Sequence, residues 1–118
     1  MQALGKHVLL DLRGCAPEVL RDATAMREIM SGAATAAGAT ILHASFNEFQ
    51  PFGVSGVVVI KESHLTVHTW PEYGIAAVDI FTCGSTLDAA PAARHILTQL
   101  AAKEHSLIEF KRCFVEDG

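Results

Sequence analysis

Apolar residues recur along the chain with two different periods, and these periods predict its secondary structure. Between Pro17 and Gly38 they return every three or four residues, which predicts an amphipathic helix. A stripe of the same spacing predicts a second helix over Asp88–Lys103. The other apolar segments are short and rich in β-branched residues, which is typical of strands. The predicted strands are His7–Leu12, about Thr40–Phe49, Val54–Ile60, about His64–Trp70, Ile75–Cys83 and about Ser106–Val115.

These elements predict an α+β domain. We write their order as β-α-β-β-β-α-β, a two-layer sandwich in which two helices cover one face of a mainly antiparallel sheet. Side chains alternate between the two faces of a strand. If Val78 and Ile80 face the helices, then Asp79, Phe81 and Cys83 occupy the face that the helices leave open.

The open face of the predicted sheet combines polar and large apolar side chains. In the preceding strand Leu65 and Val67 point towards the helices, which places His68 on the same face as Phe81 and Cys83. A bare face with large apolar groups would be a sticky patch, and a second copy of the same sheet is its simplest cover. The pattern therefore predicts a homodimer whose sheets pack face to face.

Composition and charge narrow the class of protein. With 118 residues, of which 50% are hydrophobic, we expect one domain, 1–118, with a packed core. A formal net charge of -4, with no basic cluster beyond Lys111–Arg112, argues against nucleic-acid binding. The longest strongly apolar stretch, Val57–Ile60, is too short to span a membrane, and the first residues show no secretion signal.

Cysteine usage points to a reducing compartment. Cys15, Cys83 and Cys113 are odd in number and form no C-x-x-C pair, which argues against a disulfide framework and a structural zinc site. His64 and His68 have the spacing of a helical metal pair, but in a strand they stand about 13 Å apart. We therefore expect a cytoplasmic protein without a metal cofactor.

Reactive side chains concentrate between Glu62 and Glu72. Self-cleavage of a backbone requires a hydroxyl nucleophile, hydrogen-bond donors for the oxyanion, and a base. The Ser63 hydroxyl can attack the Glu62 carbonyl, and strain in that peptide would favour the attack. His68 is a suitable base because imidazole titrates near neutral pH, and Ser55 can supply a donor from the adjacent strand. Taken alone, a serine before a strand histidine is usually only a surface or edge residue, and these residues do not by themselves indicate a reactive serine.

Longer motifs carry a resemblance to a known family. The segments Leu4–His7, Gly38–Ile41, Gly53–Ile60, Glu62–Glu72 and Phe81–Gly84 resemble successive signatures of the short prokaryotic S-adenosylmethionine decarboxylases. The match covers nearly the whole chain and weakens after about residue 85. These enzymes cut their own backbone at a serine, and that serine becomes a pyruvoyl cofactor.

The resemblance implies a role for each residue of the cleavage segment. Cleavage between Glu62 and Ser63 would yield a β chain, 1–62, and an α chain, 63–118, with the pyruvoyl group at position 63. Ser55 and His68 correspond to the pair that assists processing. Cys83 corresponds to the proton donor of the decarboxylation.

The resemblance also implies a substrate site. Phe49 corresponds to the aromatic residue that stacks on adenine, and Glu72 to the acid that holds the ribose hydroxyls. Asp11 lies where the family has an acidic residue near the cationic end of S-adenosylmethionine, and His7 is a further stacking candidate. Each site would combine residues from both chains of the homodimer. The product would donate aminopropyl groups for spermidine synthesis.

Some positions depart from the family pattern and leave alternatives open. Phe52 and Ile75 stand where tyrosine is common, and Asn47 stands where histidine is frequent. One alternative is a pyruvoyl-dependent decarboxylase of another amino acid, such as arginine or ornithine. The other is a dimeric binding module that keeps the fold but is never cut.

Overall fold

An antiparallel sheet of six strands dominates the computed structural model, which describes residues 1–84 and 87–116. Along the sheet the strands follow the order β2-β3-β4-β5-β1-β6, and all neighbours are antiparallel. The strands are β1 (Gln2–Arg13), β2 (Ile41–Glu48), β3 (Val54–Ile60), β4 (Ser63–Trp70), β5 (Ile75–Cys83) and β6 (Glu104–Val115). The helices are α1 (Pro17–Leu20), α2 (Ala23–Ala36) and α3 (Ala89–Gln99), and a single 3-10 turn spans Pro71–Tyr73.

The predicted fold class is confirmed, but the written order was one strand short. Four strands, not three, lie between the two helical segments. Each of the six segments predicted as a strand is present, so the error lies in the order and not in the segments. The lengths of the first and last strands along the chain were underestimated: β1 begins at Gln2 and β6 at Glu104.

The helical boundaries show which local signals the periodicity missed. The helix predicted from Pro17 is interrupted, because Asp22 accepts hydrogen bonds from the backbone N–H groups of Thr24 and Ala25 and so begins a new helix. The last helix ends at Gln99 rather than near residue 103. Ala101 there adopts a positive φ of 53°, a conformation that a helix cannot continue.

The hydrophobic core lies between the helices and one face of the sheet. Leu10 of β1, Leu65 of β4 and Ile80 of β5 are fully buried against Met30 of α2 and Ile96 of α3. This arrangement confirms the alternation predicted for β4 and β5, where every second residue is buried. No helix among the described residues is both long and apolar enough to cross a membrane.

The opposite face of the sheet, which we call the open face, is not covered by any helix of the described part of the chain. It carries the half-buried Asp79, Phe81 and Cys83 of β5 and the exposed His68 of β4. Register places Ile108 and Phe110 of β6 on the same face, opposite Leu9 and His7 of β1, and they are 55% and 48% exposed. The open face therefore displays apolar area together with the predicted reactive groups.

Candidate active site

A two-residue turn joins β3 to β4 at the predicted cleavage point. Ile60 pairs with Ser63, so Lys61 and Glu62 form the turn, and the Lys61 N–H donates to the carbonyl of Thr40 at 2.9 Å. Glu62 has a φ of 72°, in the left-handed region. A residue other than glycine pays about 1–2 kcal/mol to adopt that conformation. The peptide that precedes Ser63 is therefore both strained and anchored, as the self-cleavage hypothesis expected.

The Ser63 hydroxyl lies against the carbonyl group that it would attack. It donates a hydrogen bond to the carbonyl oxygen of Glu62, which is the preceding residue. Nucleophile and electrophile thus belong to adjacent residues and already touch. This contact, together with the strained turn, places the nucleophile beside the carbonyl group that an acyl shift from nitrogen to oxygen would use.

Cys83 of β5 lies beside this turn. It lines a cavity of about 230 Å³ together with Lys61 and Glu62. Cys83 is half-buried, whereas Cys15 is buried in the core and burial raises the pKa of its thiol. We call Glu62, Ser63 and Cys83 the cleavage cluster.

A second group of predicted residues lies around the imidazole of His68. Ser55 of β3 pairs with His68 of β4, and the Ser55 Oγ stands 2.6 Å from His68 Nδ1. The ring centroids of Phe49 and Trp70 lie 6.0 Å and 4.6 Å from that of His68. We call Ser55, His68 and Phe49 the imidazole cluster. Ser55 and His68 also line a cavity of about 420 Å³ on the open face.

One chain does not bring these two clusters together. Ser63 and His68 are both in β4 and lie five residues apart, which corresponds to roughly 16 Å along a strand. Cys83 pairs with Gly5, while His68 pairs with Ala77, six residues before Cys83. Within a single chain, His68 is therefore too distant to remove a proton from residue 63.

The remaining predicted residues occupy other parts of the open face or its edge. Glu72 is exposed in the 3-10 turn that follows β4, beyond the imidazole cluster. Asp11 pairs with Ala77, which in turn pairs with His68, so Asp11 shares a cross-strand row with His68. His7 pairs with Phe81, which lies two residues before Cys83 on the same face of β5.

Arg112 is a residue of the open face that the sequence did not single out as functional. Its Nη1 stands 2.9 Å from His7 Nδ1, and its guanidinium carbon lies 5.8 Å from the ring centroid of Phe81. The two residues of the Arg112–His7 pair are 105 positions apart in the chain. No local motif predicts such a contact, since it depends on the pairing of β6 with β1.

Relief of the turn strain is expected to slow self-cleavage. Glycine adopts a positive φ without the steric penalty, so Glu62→Gly should lower the energy of the uncut chain. If about 1 kcal/mol of strain is released in the first step, the cleavage rate should fall roughly three- to tenfold. The rate can be followed as the loss of full-length chain on denaturing gels. Glu62→Ala keeps the strain and removes only the carboxylate, so it should be cut faster than Glu62→Gly. Equal cleavage rates for the two variants would show that strain at residue 62 does not accelerate cleavage.

Comparisons with known proteins single out one family. The family model described as S-adenosylmethionine decarboxylase matches residues 6–113. A Thermodesulfovibrio yellowstonii protein named S-adenosylmethionine decarboxylase proenzyme is 54% identical over 112 residues, which cover 95% of this chain and 83% of that protein. A protein of the same name from Carboxydothermus hydrogenoformans is 51% identical, with 95% and 88% covered.

The similarity to a solved structure extends over the whole fold. The crystal structure of the adenosylmethionine decarboxylase of Aquifex aeolicus superposes with a TM-score of 0.93 at 36% sequence identity. The superposition covers 100% of this chain and 98% of that one. The likeness therefore includes β6 and the helices as well as the motifs around Ser63.

Proposed function

This chain belongs to the S-adenosylmethionine decarboxylase family, and we propose that it decarboxylates S-adenosylmethionine with a pyruvoyl group made from its own Ser63. The observation that carries the proposal is the contact of the Ser63 hydroxyl with the Glu62 carbonyl at a strained turn. Decarboxylation of arginine or ornithine, and an uncleaved binding module, are not favoured by relatives that are named as proenzymes of this enzyme.

Maturation starts with the attack of Ser63 Oγ on the carbonyl carbon of Glu62. The peptide C–N bond breaks as the C–O bond forms, and the acyl group of Glu62 becomes an ester of Ser63. A base then removes the α-proton of residue 63, and elimination releases the Glu62 carboxylate. The dehydroalanine left at position 63 hydrolyses with loss of ammonia. The products are residues 1–62 and residues 63–118, the second beginning with the pyruvoyl group.

The imidazole cluster supplies the processing groups. Ser55 Oγ engages Nδ1 of His68, which orients the ring and leaves Nε2 free for proton transfer. Both side chains lie on the open face, where a second sheet would exclude water. We assign proton abstraction to His68 and its orientation to Ser55.

The residues that act in turnover surround the cofactor position. When formed, the pyruvoyl group supplies a ketone that condenses with the substrate amine and takes up the electrons left as carbon dioxide departs. The Cys83 thiol, at the same cavity as Glu62, then delivers a proton to the substrate α-carbon. Delivery to the correct carbon matters because protonation of the cofactor carbon would end in transamination and inactivation.

Each active site is assembled from two chains. Ser63 and His68 of one chain are roughly 16 Å apart, yet the proposed chemistry requires them in contact. A two-fold dimer with its open faces packed about 10 Å apart allows the imidazole cluster of one chain to lie over the cleavage cluster of its partner. The exposed Ile108 and Phe110 add apolar area to that interface. The dimer then contains two equivalent sites.

The substrate site follows from the charge and shape of S-adenosylmethionine. Its adenine would stack on Phe49, with His7 as a second aromatic wall, and its ribose hydroxyls would bind the carboxylate of Glu72. The sulfonium centre favours carboxylates and π-faces, and Asp11 of β1 offers a carboxylate on the open face. Phe49 and Glu72 are both exposed in the single chain and are therefore free to reach a partner's site.

Release of carbon dioxide tests the function and the proton donor together. The cleaved wild-type protein should release carbon dioxide from S-adenosylmethionine and far less from arginine or ornithine. Cys83→Ser should still be cut, because Cys83 acts only in turnover, but it should lose at least about 100-fold in rate without its thiol donor. The measurement is carbon dioxide release from carboxyl-labelled substrates, with cleavage checked by intact mass.

Cys113→Ser is the matched control, since it removes an exposed thiol of β6 outside the cleavage cluster. It should retain wild-type activity. Full activity in cleaved Cys83→Ser would remove Cys83 from the proton-donor role. Preferred release from arginine or ornithine would overturn the assigned substrate.

A further inference from the structure

One hydrogen bond connects the last strand to a predicted substrate residue. Arg112 of β6 reaches His7 of β1, with 2.9 Å between Nη1 and Nδ1. A guanidinium group has five donors and no acceptor, so His7 Nδ1 must be the acceptor. The ring proton of His7 is therefore carried by Nε2.

The other nitrogen of the His7 ring is also confined. Nε2 is buried and has no hydrogen-bond partner among the residues that the structure describes, and Asp79 Oδ1 lies 3.9 Å from it. Asp79 is itself held by a hydrogen bond from the Thr66 hydroxyl at 3.2 Å. The imidazole thus lies between a cation on one side and a carboxylate on the other, which defines its tautomer and its rotation.

Phe81 completes the frame around the ring. The centroids of His7 and Phe81 are 5.6 Å apart with an interplanar angle of 66°, an edge-to-face contact. The Phe81 ring leans over Gly5, where an added Cβ would stand 2.9 Å from Phe81 Cε1. Arg112 also lies 5.8 Å from the Phe81 centroid, so one guanidinium contacts both rings.

Register places this frame beside the cleavage cluster. Gly5 pairs with Cys83 on one side and with Arg112 on the other, so the three residues share one cross-strand row. Gly5 has no side chain, and the space where its Cβ would stand is taken by the edge of the Phe81 ring. The Arg112–His7 pair is therefore at the margin of the proposed substrate site.

We propose that Arg112 is a positioning residue for substrate binding, which holds the His7 ring in the orientation that stacks on the adenine. This inference rests on the proposed function, because His7 receives a substrate only if the site binds S-adenosylmethionine. In a single chain Arg112 is exposed and His7 is half-buried, and a pair so open to solvent on one side would contribute little. In the proposed dimer a second sheet covers it, and a charge-assisted hydrogen bond becomes stronger when water is excluded.

Removal of the guanidinium should weaken substrate binding and leave the chemistry intact. Arg112→Met keeps an unbranched side-chain stem but cannot donate to His7. We expect KM for S-adenosylmethionine to rise roughly three- to tenfold, less than the full effect of a charge-assisted hydrogen bond because Arg112 acts on the substrate only through His7, with kcat changed less than about twofold. Arg112→Lys keeps a donor and should restore part of the loss. Lys111→Met, on the same strand but opposite Lys6, should leave KM unchanged.

A double-mutant cycle separates positioning from a general structural effect. His7→Phe retains a stacking ring that needs no hydrogen bond, so Arg112→Met should have no further effect on KM in that background. If Arg112→Met raised KM equally in the wild-type and His7→Phe backgrounds, the proposal would be overturned. A fall in kcat at unchanged KM would overturn it as well.

Nitrogen-15 NMR of the histidine rings tests the contact without any substrate. Wild-type protein should show His7 with a proton on Nε2 only, and Arg112→Met should show a ring that exchanges between tautomers. An unchanged His7 spectrum in Arg112→Met would also overturn the proposal. If the wild-type protein released no carbon dioxide from S-adenosylmethionine, the proposed function would fail while this spectrum still decided the role of Arg112.

Discussion

Ser63→Ala is expected to give a folded chain that remains uncut and has no decarboxylase activity. Alanine has no oxygen to attack the Glu62 carbonyl, so neither the ester nor the pyruvoyl group can form. The loss should be complete within detection, because no other group of the described site can supply the ketone on which the reaction depends. Intact-mass analysis should show one species of full length, where the wild-type protein shows two fragments.

The folding of Ser63→Ala provides its own control. Ser63 is the first residue of β4 and is half-buried. The removal of one hydroxyl there should leave the temperature of thermal unfolding nearly unchanged. Ser45→Ala removes a hydroxyl from the cavity beside Ser55 and should still be cut. Normal cleavage of Ser63→Ala would mean that another serine is the nucleophile.

Two uncut variants are expected to rescue each other when they share a dimer. His68→Ala retains Ser63 but lacks the processing base, and Ser63→Ala retains His68 but lacks the nucleophile. If sites combine two chains, a mixed dimer holds one site with Ser63 from the first and His68 from the second. The His68→Ala chain should then be cut, by at least about 100-fold more than alone, because general-base catalysis contributes that much. Chains with tags of different size identify on gels which one was cut.

The control experiment replaces the Ser63→Ala chain by a chain that carries both substitutions. Ser63→Ala/His68→Ala can form the same dimer but offers no imidazole, so the His68→Ala chain should remain intact beside it. Purified mixed dimers with no cleavage at all would show that processing occurs within one chain. The face-to-face arrangement would then be wrong, and His68 would have to reach Ser63 of its own chain, roughly 16 Å away along β4, through a rearrangement.

Local patterns predicted the elements and the faces of the sheet well. The period of two in β4 and β5 placed His68 and Cys83 on the open face, and the burial of alternate residues confirms it. The limits of the elements were less well predicted. The Asp22 cap and the left-handed Ala101 end or begin helices through single-residue geometry, which an apolar stripe does not report.

Distances within the site were beyond sequence reasoning. The short segment that contains Ser63 and His68 suggests proximity, but an extended strand separates them by roughly 16 Å. Ser55 and His68, which are 13 positions apart in the chain, are in contact because β3 and β4 form a hairpin. The number of residues between two positions is therefore a poor guide to the distance between their side chains.

The sequence by itself determined which residues form strands, which face each side chain occupies and which family the motifs resemble, because these depend on local periodicity and on residue identity. The tertiary structure decided the left-handed turn at Glu62, the separation of the cleavage and imidazole clusters, and the contact of Arg112 with His7. Strand register and long-range pairing create these features. They are set by packing of the whole sheet, to which β1 and β6 contribute from opposite ends of the chain.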